Sequence, residues 1–254
     1  MVMVTVIITR TTASIMPTKN LGMPVLALAG LACVLLVVAL PKLGARLMML
    51  PGDEVRQAFL EDKQSVANKE LAAWARTRER ALFFGRTSGI ASDLSMITLE
   101  QAMRKGLNPA TAKDDIENAI QWQEKALAKA PADSYGWSQL AYMRLITEGP
   151  TERAAWALTN AIDTNPFEPW LMVSRINMAL RLYDKLGPDM KSSLPSMIRA
   201  AWSWDAYELS EAAIKNHYTA LVEQALDGDE EKLEKFRDYL KEHAPASVTK
   251  PAKR

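Results

Sequence analysis

The sequence predicts an all-α protein: an irregular α-solenoid of stacked helical hairpins behind one N-terminal transmembrane helix. Three observations carry this. No charged residue occurs between Lys19 and Lys42. From about residue 53 onward, apolar residues recur at the helical period of 3.6 rather than alternating as in strands. Short clusters of Pro, Gly, Asn and Asp separate these stripes, as the connections of helical hairpins do.

Residues 1–20 (MVMVTVIITRTTASIMPTKN) form a leader unlike the rest, and Met16 stands where a start just ahead of the span would fall. Residues 21–41 read LGMPVLALAGLACVLLVVALP. A helix of about 20 apolar residues crosses a hydrocarbon core, Pro24 falls in its first turn, and Pro41 marks its expected stop. A cleaved signal peptide is a competing reading, but its apolar core is shorter and Leu43-Gly44-Ala45 is a poor exit site. A lipoprotein signal at Cys33 competes too; Gly30-Leu31-Ala32 lacks the large aliphatic residue such signals carry three places ahead of the cysteine. Arg10 and Lys19 before the span nearly balance Lys42, Arg46 and Arg56 after it, so the positive-inside rule leaves orientation open. The expectation is a single-pass membrane protein.

The body, 53–244, reads as helices throughout. Val55, Phe59, Val66, Trp74 and Leu82 suggest one long helix over 53–84, ended by Gly85. Ile116, Ala119, Ile120 and Leu127 form the next clear stripe, with Asp114 and Asp115 at its positive N-terminus. Later stripes are Met172, Ile176, Ala179, Leu180 and Tyr183; Met190, Leu194, Met197, Ile198, Ala201 and Trp202; Ile214, Tyr218, Leu221, Val222 and Ala225; and Leu233, Phe236 and Leu240. The turns between them include Ala130-Pro131, Gly149-Pro150, Asn165-Pro166, Gly187-Pro188 and Asp227-Gly228. Residues 245–254 read as a disordered basic tail.

Composition narrows function. With 31 basic and 30 acidic residues the chain lacks the basic excess of a nucleic-acid binder. The acid-free first 50 residues leave a mildly acidic body. One cysteine, Cys33, excludes an intrachain disulfide and a cysteine-based zinc site. No P-loop, dinucleotide loop, His-Glu-x-x-His or Gly-x-Ser-x-Gly occurs. His217 and His243 stand too far apart to suggest a metal pair, and no nucleophile stands out beside either. No catalytic residue, cofactor or metal is expected.

The middle of the chain carries a repeat signal: Pro131 and Pro166 lie 35 residues apart by sequence number. Trp137, Leu140 and Ala141, then Ala154, Leu158, Ala161 and Pro166, resemble the packing pattern of a tetratricopeptide (TPR) hairpin, with one extra residue in the turn and Arg144 where an aromatic is usual. Small residues let the two helices approach, and Trp137 and Leu158 fill the groove between them. The preceding unit keeps Ala119, Ala126 and Pro131 but has Gln123 at a large apolar position; in the following unit Trp170 is displaced by two positions. Such hairpins need stacked neighbours to bury their apolar faces.

If helix A of each hairpin lines a partner-binding groove, its residues are Tyr135, Ser138, Tyr142 and Leu145, joined by Arg175 and Asn177. Tyr with Arg suits an extended peptide or a polar polymer. Trp156 and Trp204 are expected to be exposed aromatics: each lies two residues from a core position, about 200° around its helix.

The layout also resembles small membrane-anchored proteins encoded in bacterial exopolysaccharide biosynthesis clusters. The resemblance rests on the anchor, ARTRERALFFG at 75–85, the TPR-like unit, NPFEPWLMVSRINMALRLYDKL at 165–186, and a helix ending in Ala201-Trp202. It implies a non-enzymatic scaffold or adaptor in cell-envelope biogenesis, at exopolysaccharide synthesis or export, single-pass in the bacterial inner membrane with a periplasmic body and with protein partners in that machinery. A glycan-binding module that handles the polymer is the alternative, and a polysaccharide-modifying enzyme a third.

Overall fold

The computed structural model describes residues 22–62, 65–106 and 109–243. The leader 1–20 with its alternative start at Met16, and the tail 245–254, lie outside the described residues. Within them the chain is all-α, with eleven α-helices, one 3-10 turn and no strand.

α1 (Gly22–Glu61) is 40 residues long. Its apolar half has a mean hydropathy of 2.4 over 18 residues, none of them buried. That is long and apolar enough to cross a membrane. The stop expected at Pro41 does not occur: α1 runs through Pro41 and Pro51 into the body. Both prolines are exposed. Each removes one helical hydrogen bond, and downstream packing through Ala45, Met49 and Phe59 holds the helix together.

The single helix expected over 53–84 is two. α1 ends at Glu61, and α2 (Asn68–Ala81) returns beside it. Glu70 explains the restart: its carboxylate accepts from the Ala67 amide at 2.7 Å, satisfying a donor at the N-terminus of α2. α2 descends along α1. Arg78 meets Met49, and Phe84, just beyond α2, lies over Gly44. A Cβ on Gly44 would sit 2.5 Å from the Phe84 ring, so this close approach requires glycine.

One buried cation locks these elements. Arg78 is fully buried. Its Nε donates to Asp93 Oδ2 at 2.7 Å, Nη2 to Asp53 Oδ1 at 2.6 Å and Nη1 to the Met49 carbonyl at 2.7 Å. Asp93 belongs to α3 (Ser88–Arg104), and Arg56 of α1 reaches its other oxygen at 3.0 Å. The clamp thus ties α1 to α2 and α3.

The remaining helices are α4 (Pro109–Leu127), α5 (Ser134–Glu148), α6 (Glu152–Thr164), α7 (Pro169–Arg181), α8 (Pro188–Trp202), α9 (Ala206–Lys215), α10 (Thr219–Leu226) and α11 (Glu230–His243), with the 3-10 turn Tyr183–Lys185 before α8. Consecutive helices pack on one another, and α5–α7, α7–α9 and α8–α10 also touch. Leu140, Ala141, Ala154, Leu158 and Ala161 are all buried between helices, while Trp137 is half-buried and Pro166 is exposed in the turn. Arg144 holds its unusual place by ionic means: Nη2 donates to Glu124 of α4 at 2.5 Å and Nη1 to the Arg153 carbonyl at 3.1 Å.

The stripe from Ile214 to Ala225 is also broken. His217 takes a left-handed conformation at φ 62°. The Tyr218 amide donates to Ala213 O at 3.0 Å and the His217 amide to Ile214 O at 3.2 Å, which closes α9 with a Schellman-type cap.

Candidate functional site

One groove, of about 330 Å³, opens along α5 and α7 and is completed by Leu99 of α3 and Glu208 of α9. All four are odd-numbered helices. α5 begins at Asp133, whose carboxylate accepts from the Gly136 amide at 2.9 Å. From there Tyr135, Ser138, Gln139 and Tyr142 follow at helical spacing and share one face. Opposite them Ser174, Asn177 and Arg181 of α7 line the groove, with Leu171 and Met178 as apolar surface between them.

The lining is polar and aromatic with nearly balanced charge. Arg181 and Glu208 are its two ionic groups. Burial first, and the Asp133 carboxylate second, push the Tyr135 phenol above its ordinary range. The Gln139 side-chain oxygen is buried and has no hydrogen-bond partner among the described residues. These groups can hold a polymer or peptide by hydrogen bonds and ring stacking.

Four of the expected groove residues, Tyr135, Ser138, Tyr142 and Asn177, come together here, with Ser138 largely covered. Two do not. Leu145 is buried in the core. Arg175 is fully buried behind the groove, where it donates to Ser138 Oγ at 2.9 Å, the Asn165 carbonyl at 2.6 Å and the Ser134 carbonyl at 3.1 Å. It braces α7 against the start of α5 and the end of α6, and burial lowers its pKa. The reason is angular. Arg175 and Asn177 are two residues apart and diverge by about 200°, so both cannot face one groove. The register 174, 177, 178, 181 was present in the sequence and marks Arg181, not Arg175, as the groove cation.

Trp156 and Trp204 are exposed as expected, but neither lines this groove. Trp156 packs edge-on against Trp137, with ring centroids 5.0 Å apart, in a separate apolar slot with Leu127 and Leu140. Trp204 stands in the α8–α9 turn. Among the described residues no group of His, Cys, Asp and Glu side chains is arranged to hold a metal ion.

No family model, curated protein or solved structure matches this chain.

Proposed function

We propose that this chain is a membrane-anchored, non-enzymatic adaptor whose helical body offers a peptide- or polymer-binding groove to partners at the membrane. The observation that carries the reading is a polar, aromatic groove lined by α3, α5, α7 and α9, on a body continuous with one long apolar helix. The order of packing supports a TPR-like stack: consecutive helices pair, and α5–α7 and α7–α9 also touch. An anchor raises the local concentration of such a groove around membrane partners.

The resemblance in layout supplies the setting, namely exopolysaccharide synthesis or export at the bacterial inner membrane, with protein partners in that machinery. The proposed orientation is periplasmic, which agrees with a body that carries no cysteine outside the apolar helix. A second reading, direct handling of the polymer, is favoured by the two tyrosines, Tyr135 and Tyr142, in the groove.

Tyr142 is half-buried and its ring lies at the groove wall, so Tyr142→Ala is expected to leave the helical circular dichroism and melting of the full chain unchanged. The same variant should lower detergent-stable co-purification with membrane partners by about tenfold, the loss of one central aromatic contact. Equal recovery of partners by the variant and the wild type would remove the groove from the reading. Quenching of tryptophan fluorescence by purified polymer, lost in Tyr142→Ala, would favour the polymer over a protein as occupant.

A further inference from the structure

Phe83 is 89% exposed, a large apolar side chain left uncovered by the body. Its position along α1 explains why. A hydrocarbon core of roughly 30 Å takes about 20 helical residues. Twenty residues counted from Gly22 end at Pro41, immediately before Lys42. Gly44 is three residues further, about 4–5 Å along the axis. That is within the polar interfacial layer, about 5–8 Å deep on each side. Phe84 packs directly on Gly44. The turn between α2 and α3 is therefore held at the depth of the lipid headgroups, with Phe83 beside it, ring to ring with Phe84 at 5.4 Å.

Basic side chains cluster close to Phe83, while Asp133, Glu168 and Asp205 lie in the other turns at this end. Arg80 and Arg86 flank Phe83 in the chain and are exposed. Lys129, just beyond α4, donates to the Arg86 carbonyl, which brings the α4–α5 turn to the same end, and Lys125 lies one turn before it. Exposed aromatics concentrate at the same end of the helical row. Helices joined by short turns alternate in direction, so the α2–α3, α6–α7 and α8–α9 turns share an end. They carry Phe83, then Phe167 and Trp170 at 69% and 89% exposure, then Trp204 at 61%. At the other end, the described residues of the α1–α2, α3–α4 and α5–α6 turns include no aromatic, and Tyr183 and Tyr218 of the α7–α8 and α9–α10 turns are half-buried, ring to ring at 5.3 Å.

We infer that this end of the body is a second membrane contact: it lies against the bilayer that holds α1, with Phe83 inserted at the interface and Arg80, Arg86 and Lys129 against anionic lipid headgroups. Amphipathic aromatics and basic side chains are the groups that favour this layer. The contact would fix the tilt of the body and the height of the groove above the membrane. The inference rests on the reading of α1 as an anchor.

The test uses the full chain in vesicles of phosphatidylcholine and phosphatidylglycerol, labelled at one cysteine with an environment-sensitive fluorophore. Native Cys33 reports the span. In a Cys33→Ser background, Phe83→Cys reports the proposed contact and Pro150→Cys the opposite end. Lipids carrying a shallow spin-label quencher are expected to quench position 83 several-fold more than position 150. Arg80→Glu with Arg86→Glu should reduce that difference. Quenching at 83 no greater than at 150, with Cys33 quenched by deep-labelled lipid, overturns the inference while leaving the anchor intact. A position 83 shielded from water but not quenched by lipid also overturns it, since protein would then cover the site. Failure to quench Cys33 would instead overturn the anchor.

Discussion

Arg78→Ala is expected to loosen the joint between α1 and the rest of the body and to lower the melting temperature of the full chain in detergent by about 6–20 °C. The guanidinium is fully buried and donates to Asp93, Asp53 and the Met49 carbonyl. Asp93 has a side-chain exposure of only 6%. Deleting the cation leaves that carboxylate with Arg56 alone, itself partly in water. Breaking a buried pair by removing one partner costs about 3–5 kcal/mol, mostly from the stranded charge. For a domain of this size 1 kcal/mol moves the melting point by about 2–4 °C. Arg78→Lys should recover little, because one ammonium cannot reproduce three divergent guanidinium contacts. The double variant Arg78→Met with Asp93→Leu should be less damaging than Arg78→Ala, since no buried charge is left alone. A melting point unchanged in Arg78→Ala would mean the clamp holds nothing.

The largest effect in the body is expected from Leu158→Asp. Leu158 is fully buried among Leu140, Ala141, Ala154 and their neighbours. Truncating such a leucine alone costs about 2–5 kcal/mol. A carboxylate in its place adds the cost of burying a charge without a partner. Since whole domains are stable by about 5–15 kcal/mol, the middle hairpin should unfold, with visible loss of helical ellipticity. Leu158→Ala, with only the truncation cost, should melt lower but stay folded. If Leu158→Asp melts like the wild type, the packing of α5 on α6 is not as described.

What the sequence revealed and what it hid divide along physical lines. The apolar helix, the all-helical body and the α5–α6 hairpin were legible because each depends on local periodicity. Leu140, Ala141, Ala154, Leu158 and Ala161 are all buried where their spacing put them. Helix ends were less legible. Pro41 looked like a stop, yet packing of Ala45 and Met49 further along carries α1 past it, and the helix also runs through Pro51. The stripes over 53–84 and 214–225 each continue in phase across a break, at Asp62 to Ala67 and at His217, so periodicity alone joined them. α3 went unread for the opposite reason. Ile90, Ala91, Asp93, Leu94, Ser95, Met96 and Ile97 are buried together, so the helix presents no single apolar stripe.

The groove was legible along one helix and misjudged on the next. Tyr135, Ser138 and Tyr142 follow from the start of α5 at Asp133. Arg175 was chosen for its charge, although its angle opposes Asn177. A buried arginine satisfied by Ser138 and two carbonyls is a long-range arrangement that no local pattern announces. The same holds for Arg78, whose partners lie 15 to 29 residues away. The exposed Phe83 gains meaning only once Gly44 fixes its level along α1.

Everything proposed for the groove and for the membrane-facing end depends on where α1 places the body. Fusions of alkaline phosphatase, and separately of green fluorescent protein, after Arg254 measure that directly in cells. High phosphatase activity without fluorescence, both fusions sedimenting with the membranes, is the expected result. Fluorescence without phosphatase activity would put the body in the cytoplasm and contradict the proposed orientation. Release of the fusion into the soluble fraction would contradict the anchor itself.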